Sequence, residues 1–183
     1  MRRGGDALTG GTGDVSPQWL TFNPLVLSAP NTYTETTINL PITRLPVPKG
    51  KAMVLELLRA QFQFAALDAN QAAAGGLISQ FVQINPTTQV AINLGNPATF
   101  AQASLISRGA FTAAGSYEST YSGDHQVDCT DGAGHGVLVA TDNLFFGANT
   151  VGFTGAATFN CKLLYRFKII KLEEYIGIVQ SQQ

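Results

Sequence analysis

Alternation of apolar and polar residues recurs along this chain and is clearest over residues 158–171, TFNCKLLYRFKIIK. Cys161, Leu163, Tyr165, Phe167 and Ile169 fall on one side, and Lys162, Leu164, Arg166, Lys168 and Ile170 on the other. Successive side chains leave opposite faces of a strand. The spacing therefore predicts one long strand with an apolar face and a largely basic one. The apolar face calls for a core; the row of cations suggests a partner carrying negative charge.

The same period organises most of the remaining chain. Residues 32–40 are rich in Thr, Tyr and Ile and predict a strand, and Pro41, Pro46 and Pro48 then impose an extended link. Residues 51–64, KAMVLELLRAQFQF, show some helical spacing at Met53, Leu57 and Leu58. Their second half alternates instead, with Leu58, Ala60, Phe62 and Phe64 against Arg59, Gln61 and Gln63, and predicts a long strand. Residues 77–85 predict a strand with Ile78, Val82 and Ile84 inward and Ser79, Gln83 and Asn85 outward, interrupted by Gln80 and Phe81. Further strands are expected at 90–94, from Ser104 onward, on either side of a Gly- and Asp-rich loop within 115–136, and at 137–141. Asp142-Asn143 reads as a turn or bulge, Leu144–Phe146 as a continuation, and 147–155 as a loop. Residues 19–27 are either a short strand or an extended arm.

About eight strands, no long helix and turns every 8–15 residues are the pattern of an all-β sandwich. Eight strands in two sheets with long loops predict a single jelly roll. Residues 1–18 read as a flexible arm, residues 19–183 as the jelly-roll domain, and 172–183 as its C-terminal tail.

Composition adds two points. The 183 residues are 45% hydrophobic but only 13% charged, against about 25% in ordinary domains, which favours a surface largely covered by copies of the same chain. The net charge of −1 excludes a globally basic nucleic-acid binder, yet the charges are segregated. No Lys or Arg occurs from Gly109 to Cys161, where Glu118, Asp124, Asp128, Asp131 and Asp142 lie. Lys162, Arg166, Lys168 and Lys171 then follow closely. One surface should be acidic and another basic. Such a basic row is either a solvated face or a stripe attracting phosphates without reading bases.

Other chemistry finds little support. Cys129 and Cys161 form no disulfide framework and read as buried thiols. No run of about 18 apolar residues predicts a membrane span, and Met1-Arg-Arg is not followed by a secretory apolar segment. Gly10–Gly13 lacks the lysine and preceding strand of a phosphate loop. Asp124, His125, Asp128, Cys129, Asp131 and His135 are the densest set of possible metal ligands. Their spacing fits neither an EF-hand nor a paired zinc motif, so they read as an exposed acidic loop, with no metal or cofactor expected. No G-x-S-x-G elbow is present, and no catalytic residue is assigned.

ATDNLFFG at 140–147, CKLLYR at 161–166 and LEEYIGIVQSQ at 172–182 together resemble the C-terminal part of capsid proteins of small circular Rep-encoding single-stranded DNA viruses. The resemblance covers residues 136–183. It implies a virion protein whose copies, sixty in a small icosahedral shell, enclose the genome without enzymatic activity. It also implies that the closing strand lies in the genome-facing sheet. On that reading Lys162, Arg166 and Lys168 face single-stranded DNA through non-specific phosphate contacts, with Arg2 and Arg3 in the arm adding to them. Cys161, Leu163, Tyr165, Phe167 and Ile169 hold the core. Such proteins commonly begin with a long Arg-rich arm, of which only Arg2 and Arg3 are present here. A jelly-roll module binding carbohydrate, with Trp19 as the only tryptophan, is the alternative; a cupin-like enzyme has too few histidines.

Overall fold

In the computed structural model, residues 16–41, 47–65, 77–93, 95–108 and 125–182 are described. The strand predicted at 158–171 is β10 (Ala157–Lys171). It pairs antiparallel with β4 (Lys51–Gln63) along nearly its whole length. Along the free edge of β10 run, one after the other, β1 (Gln18–Thr21) and β2 (Leu25–Leu27). Along the free edge of β4 run β7 (His125–Asp128) and β8 (Val137–Val139). This sheet is thus four strands wide although six segments build it. The second sheet has the order β3 (Thr34–Asn39), β9 (Asn143–Val151), β5 (Leu77–Asn85), β6 (Ala101–Arg108). Two sheets of four positions make the eight-stranded jelly roll. Local chemistry explains the two divided positions. Pro24, which has no N–H to give a ladder, separates β1 from β2, and Gly132 and Gly134 at φ 82° and 90° turn the chain between β7 and β8.

The core lies between the sheets. Phe62 of β4 stacks on Phe146 of β9 with ring centroids 6.1 Å apart, and Phe64 meets Phe159 of β10 edge-on at 6.3 Å. Phe159, Cys161, Leu163 and Tyr165 are buried against this cluster. Phe167 reaches it only partly, and Ile169 is only partly buried, contrary to its predicted place in the core; Ile170, on the opposite face, is buried instead. Beyond Phe167 the strand outruns the sandwich, and α1 (Leu172–Ser181) packs against β4 and β10 there. The segment read as a tail is this helix. Glu173 and Glu174 sit in its first turn, where a carboxylate complements the helix dipole.

Several expectations fail for tertiary reasons. Leu164 pairs with Arg59 but Tyr165 with Leu57, so Leu58 is an extra residue in β4, a bulge. The core-facing positions therefore change parity, from Leu55 and Leu57 to Ala60 and Phe62, and the buried Leu57-Leu58 pair gives the sequence its helical look. Gln80 faces inward with Ile78 and Val82. Its amide donates to the Ala65 carbonyl at 3.1 Å and accepts from the Ala65 N–H at 2.9 Å, taking the place of a strand neighbour where β4 ends. Ser79, Gln83 and Asn85, predicted outward from the core, are nevertheless buried. Residues 86–93, which form no strand, fold back over Gln83, which donates to Ala91 O at 3.1 Å and accepts from Asn93 N at 3.2 Å. Thr99 Oγ1 donates to Asn85 Oδ1 at 2.7 Å. Gly147–Val151, expected in a loop, continue β9, with Gly147 paired to Glu35 on one side and Gln83 on the other. The glycine is needed there because the Tyr33 ring lies where a side chain would be, an added Cβ sitting 2.1 Å from the phenol oxygen. His125–Asp128, expected in the acidic loop, is strand β7 because β4 offers it an edge.

Candidate nucleic-acid interface

The face of the β10 sheet turned away from the core carries the predicted cations. Strand register fixes their neighbours. Arg166 lies opposite Glu56, Lys168 opposite Val54, and Lys162 opposite Gln61. Glu56 is fully buried, and its two oxygens are shared among three donors. Arg166 Nε donates to Oε2; Lys168 Nζ lies 3.4 Å from Oε1, and the Gly136 N–H donates to Oε1 at 2.9 Å. Arg166 Nη2 also reaches the Gly134 carbonyl at 3.4 Å. Burial alone would push the Glu56 carboxyl up. The Arg166 hydrogen bond, the Gly136 N–H and the two positive charges outweigh it and hold the group below the ordinary carboxylate range.

The negative partner of two predicted phosphate-binding cations is therefore inside the chain. Arg166 and Lys168, each about a quarter exposed, first balance Glu56. Lys162 is exposed and makes no ion pair among the described residues. Arg59 stands two strands away from β1 on the same face, with Nη1 3.4 Å from Gln126 Oε1. On the side of Lys162 away from Arg59, a cleft of about 180 Å³ is lined by Gln61, Gln63, Asn160, Cys161 and Lys162. Glu56 was missed by periodicity, though a lone carboxylate inside an apolar strand pattern is itself a signal, since buried charges require partners.

Gly136 has a steric role in this arrangement. A Cβ there would lie 2.2 Å from the Leu57 carbonyl oxygen, a main-chain atom fixed by the pairing of Leu57 with Val137. Gly136→Ala is expected to lose about 1–3 kcal/mol by overpacking and by drawing the N–H away from Glu56. Urea unfolding of the subunit, read by circular dichroism, checks this; an unchanged midpoint would show that the loop relaxes freely.

The remaining candidates are dispersed. His125 packs edge-on to Phe64 at 4.9 Å. His135 Nδ1 lies 3.0 Å from Asp131 Oδ2 in the exposed loop, and Asp128 accepts from Thr130. Burial raises the Cys129 thiol to about 11 and the Cys161 thiol further, so both are protonated at neutral pH. Among the described residues no group of three His, Cys, Asp or Glu could hold a metal, and no helix is long and apolar enough to cross a membrane. Arg2, Arg3 and Asp124 lie outside the described residues, as does the Gly10–Gly13 stretch.

Comparison with solved structures places this architecture. VP1 of Merkel cell polyomavirus, in complex with disialyllactose, superposes with TM-score 0.53 at 11% identity, over 90% of this chain and 98% of that one. VP1 of trichodysplasia spinulosa-associated polyomavirus, in complex with 3'-sialyllactose, gives 0.52 at 10% identity, over 88% and 97%. The chain has the jelly-roll fold of polyomavirus VP1. The human polyomavirus 7 VP1 pentamer matches similarly, at TM-score 0.52 and 10% identity over 85% and 95%. At such identity the likeness is one of fold. No protein-family model and no curated protein sequence matches the chain.

Proposed function

We propose that this chain is a viral capsid protein, without catalytic activity, whose copies assemble into a closed icosahedral shell around a single-stranded DNA genome. The observation that carries the reading is the jelly roll itself, which spans nearly the full length of VP1 chains. The low charge of the chain and the C-terminal resemblance to capsid proteins of Rep-encoding viruses support it further. On this reading the protein resides in the virion, its chief partner is itself, and sixty copies close the shell. The β10 face is turned to the genome, and Lys162 is its available phosphate contact. Arg166 and Lys168 contribute charge only beyond what Glu56 takes, and Arg2 and Arg3 add to it from the amino-terminal arm.

Electron microscopy and mass measurement of the purified full chain test assembly; a stable monomer under all assembly conditions would refute it. Lys162→Gln is the clean probe of the genome contact, because it leaves the Glu56 cluster intact. It should weaken DNA binding across all sequences and reduce the salt slope by about one per subunit. An unchanged slope would make Lys162 a solvated surface residue.

A second reading, carbohydrate binding, draws on the oligosaccharides carried by two of the VP1 neighbours and on the amide-lined cleft beside Lys162. Glycan-array binding by a small soluble oligomer would favour it.

A further inference from the structure

We propose that Trp19 forms a base-stacking site for single-stranded nucleic acid, with Lys162 and Arg59 holding the flanking phosphates. The proposal rests on the reading that the β10 face meets the genome, and it names which part of that face contacts bases.

Register builds the site. Trp19 pairs with Leu164, and Leu164 with Arg59, so the three form one row across the sheet. The next row is Thr21, Lys162 and Gln61. Leu20, the neighbour of Trp19 in β1, packs against the core. Trp19 therefore points to the outer face, where it remains 48% exposed. An indole left half in solvent on a strand, with Leu164 partly buried beside it, offers a flat apolar surface. Among the described residues no part of the fold covers it.

Charge surrounds that surface with one sign predominating. Lys162 is the diagonal neighbour of Trp19 on the adjacent strand, at about 7–8 Å between α-carbons. Arg59 lies in the same row two strands over. Of the carboxylates nearby, Glu56 is buried under Arg166 and Lys168. Asp128 lies directly opposite Arg59 in the strand register and offsets part of its charge, while its Oδ1 accepts from the Thr130 N–H and hydroxyl at 2.9 and 2.8 Å. Lys162 is thus the cation least compensated beside the indole. An aromatic platform between cations is the recognition chemistry of single strands, because unpaired bases present π-faces and a regularly charged backbone. A duplex hides those faces. Gln63 and Asn160, bonded to each other at 2.9 Å, rim the adjoining cleft with amide groups able to meet a base edge.

Trp19 is the sole tryptophan, so its fluorescence reports the site directly. The full chain, kept below its assembly threshold, is titrated with a 20-residue thymidine oligonucleotide, with an abasic strand of equal length, and with a duplex. Quenching by the oligonucleotide alone is expected. Trp19→Ala should weaken oligonucleotide binding about tenfold with an unchanged salt slope, since no phosphate contact is lost. Trp19→Phe should stay within about threefold of the parent, and its unchanged circular dichroism shows that β1 still pairs. If the oligonucleotide binds with no quenching and Trp19→Ala binds equally well, stacking is refuted while the genome-facing reading stands. If no nucleic acid binds at all, that reading falls too. Quenching by sialyllactose but not by the oligonucleotide overturns the proposal in favour of a carbohydrate site.

Discussion

Arg166→Leu should destabilise the subunit by about 3 kcal/mol at pH 7, the lower end of what removing one partner of a buried ion pair costs. The cost arises mainly from the partner left behind. Glu56 is fully buried and, among the described residues, keeps Lys168 at 3.4 Å and the Gly136 N–H at 2.9 Å, too little to replace the guanidinium. Changing both residues together, Glu56→Leu with Arg166→Leu, should recover most of the loss, because the buried charge goes with its partner.

The pH dependence follows from the same cluster. In the native subunit the Glu56 carboxyl is held below its ordinary range, so near pH 4 the unfolded chain binds more protons than the folded one. This contribution to stability is therefore complete above the unfolded value of about 4.3 and is lost as pH falls through the lower folded value. In Arg166→Leu burial is no longer outweighed, and protonation removes the stranded charge. The stability difference between variant and parent should be largest at neutral pH and shrink toward pH 4. Urea unfolding at both pH values measures it. An equal difference at pH 7 and pH 4 would mean that Arg166 acts by packing alone.

Phe62→Ala should cost about 3–5 kcal/mol, the range for emptying a buried aromatic site. Its ring is fully buried between the sheets and stacks on Phe146. Both neighbouring strands, β10 and β7, are pinned by backbone pairing at this level, through Cys161 and His125. The sheets cannot collapse into the void without breaking those ladders. Unfolding midpoints and the yield of assembled particles should fall together. A loss below about 1 kcal/mol would show that the sheets slide to close the gap.

Much of the sandwich was legible because period two is a local property. The alternation of Cys161, Leu163 and Tyr165 carries the core face of β10, and the apolar pattern over residues 77–85 coincides with the bounds of β5. Failures came where a distant segment changed the meaning of a residue. Leu58 looks like a core residue until the register with Leu164 and Tyr165 makes it a bulge. Gln83 and Asn85 look solvated until Ala91, Asn93 and Thr99 bond to them. Ile169 loses its predicted place to Ile170 because the core stops at the edge of the sandwich, while the helix packs beyond it.

The candidate site divides in the same way. That one face of residues 158–171 is apolar and the other basic follows from the chain alone, since strand geometry needs nothing beyond neighbouring residues to set it. So does a β-sandwich of low charge. Which cations remain for a partner depends on the folded arrangement. Glu56 lies 110 residues before Arg166, and strand pairing brings them together in a buried place where a carboxylate must be compensated. Pairing likewise set Trp19 beside Leu164 and Lys162, because contacts between strands depend on register, which the periodicity of a single strand does not contain.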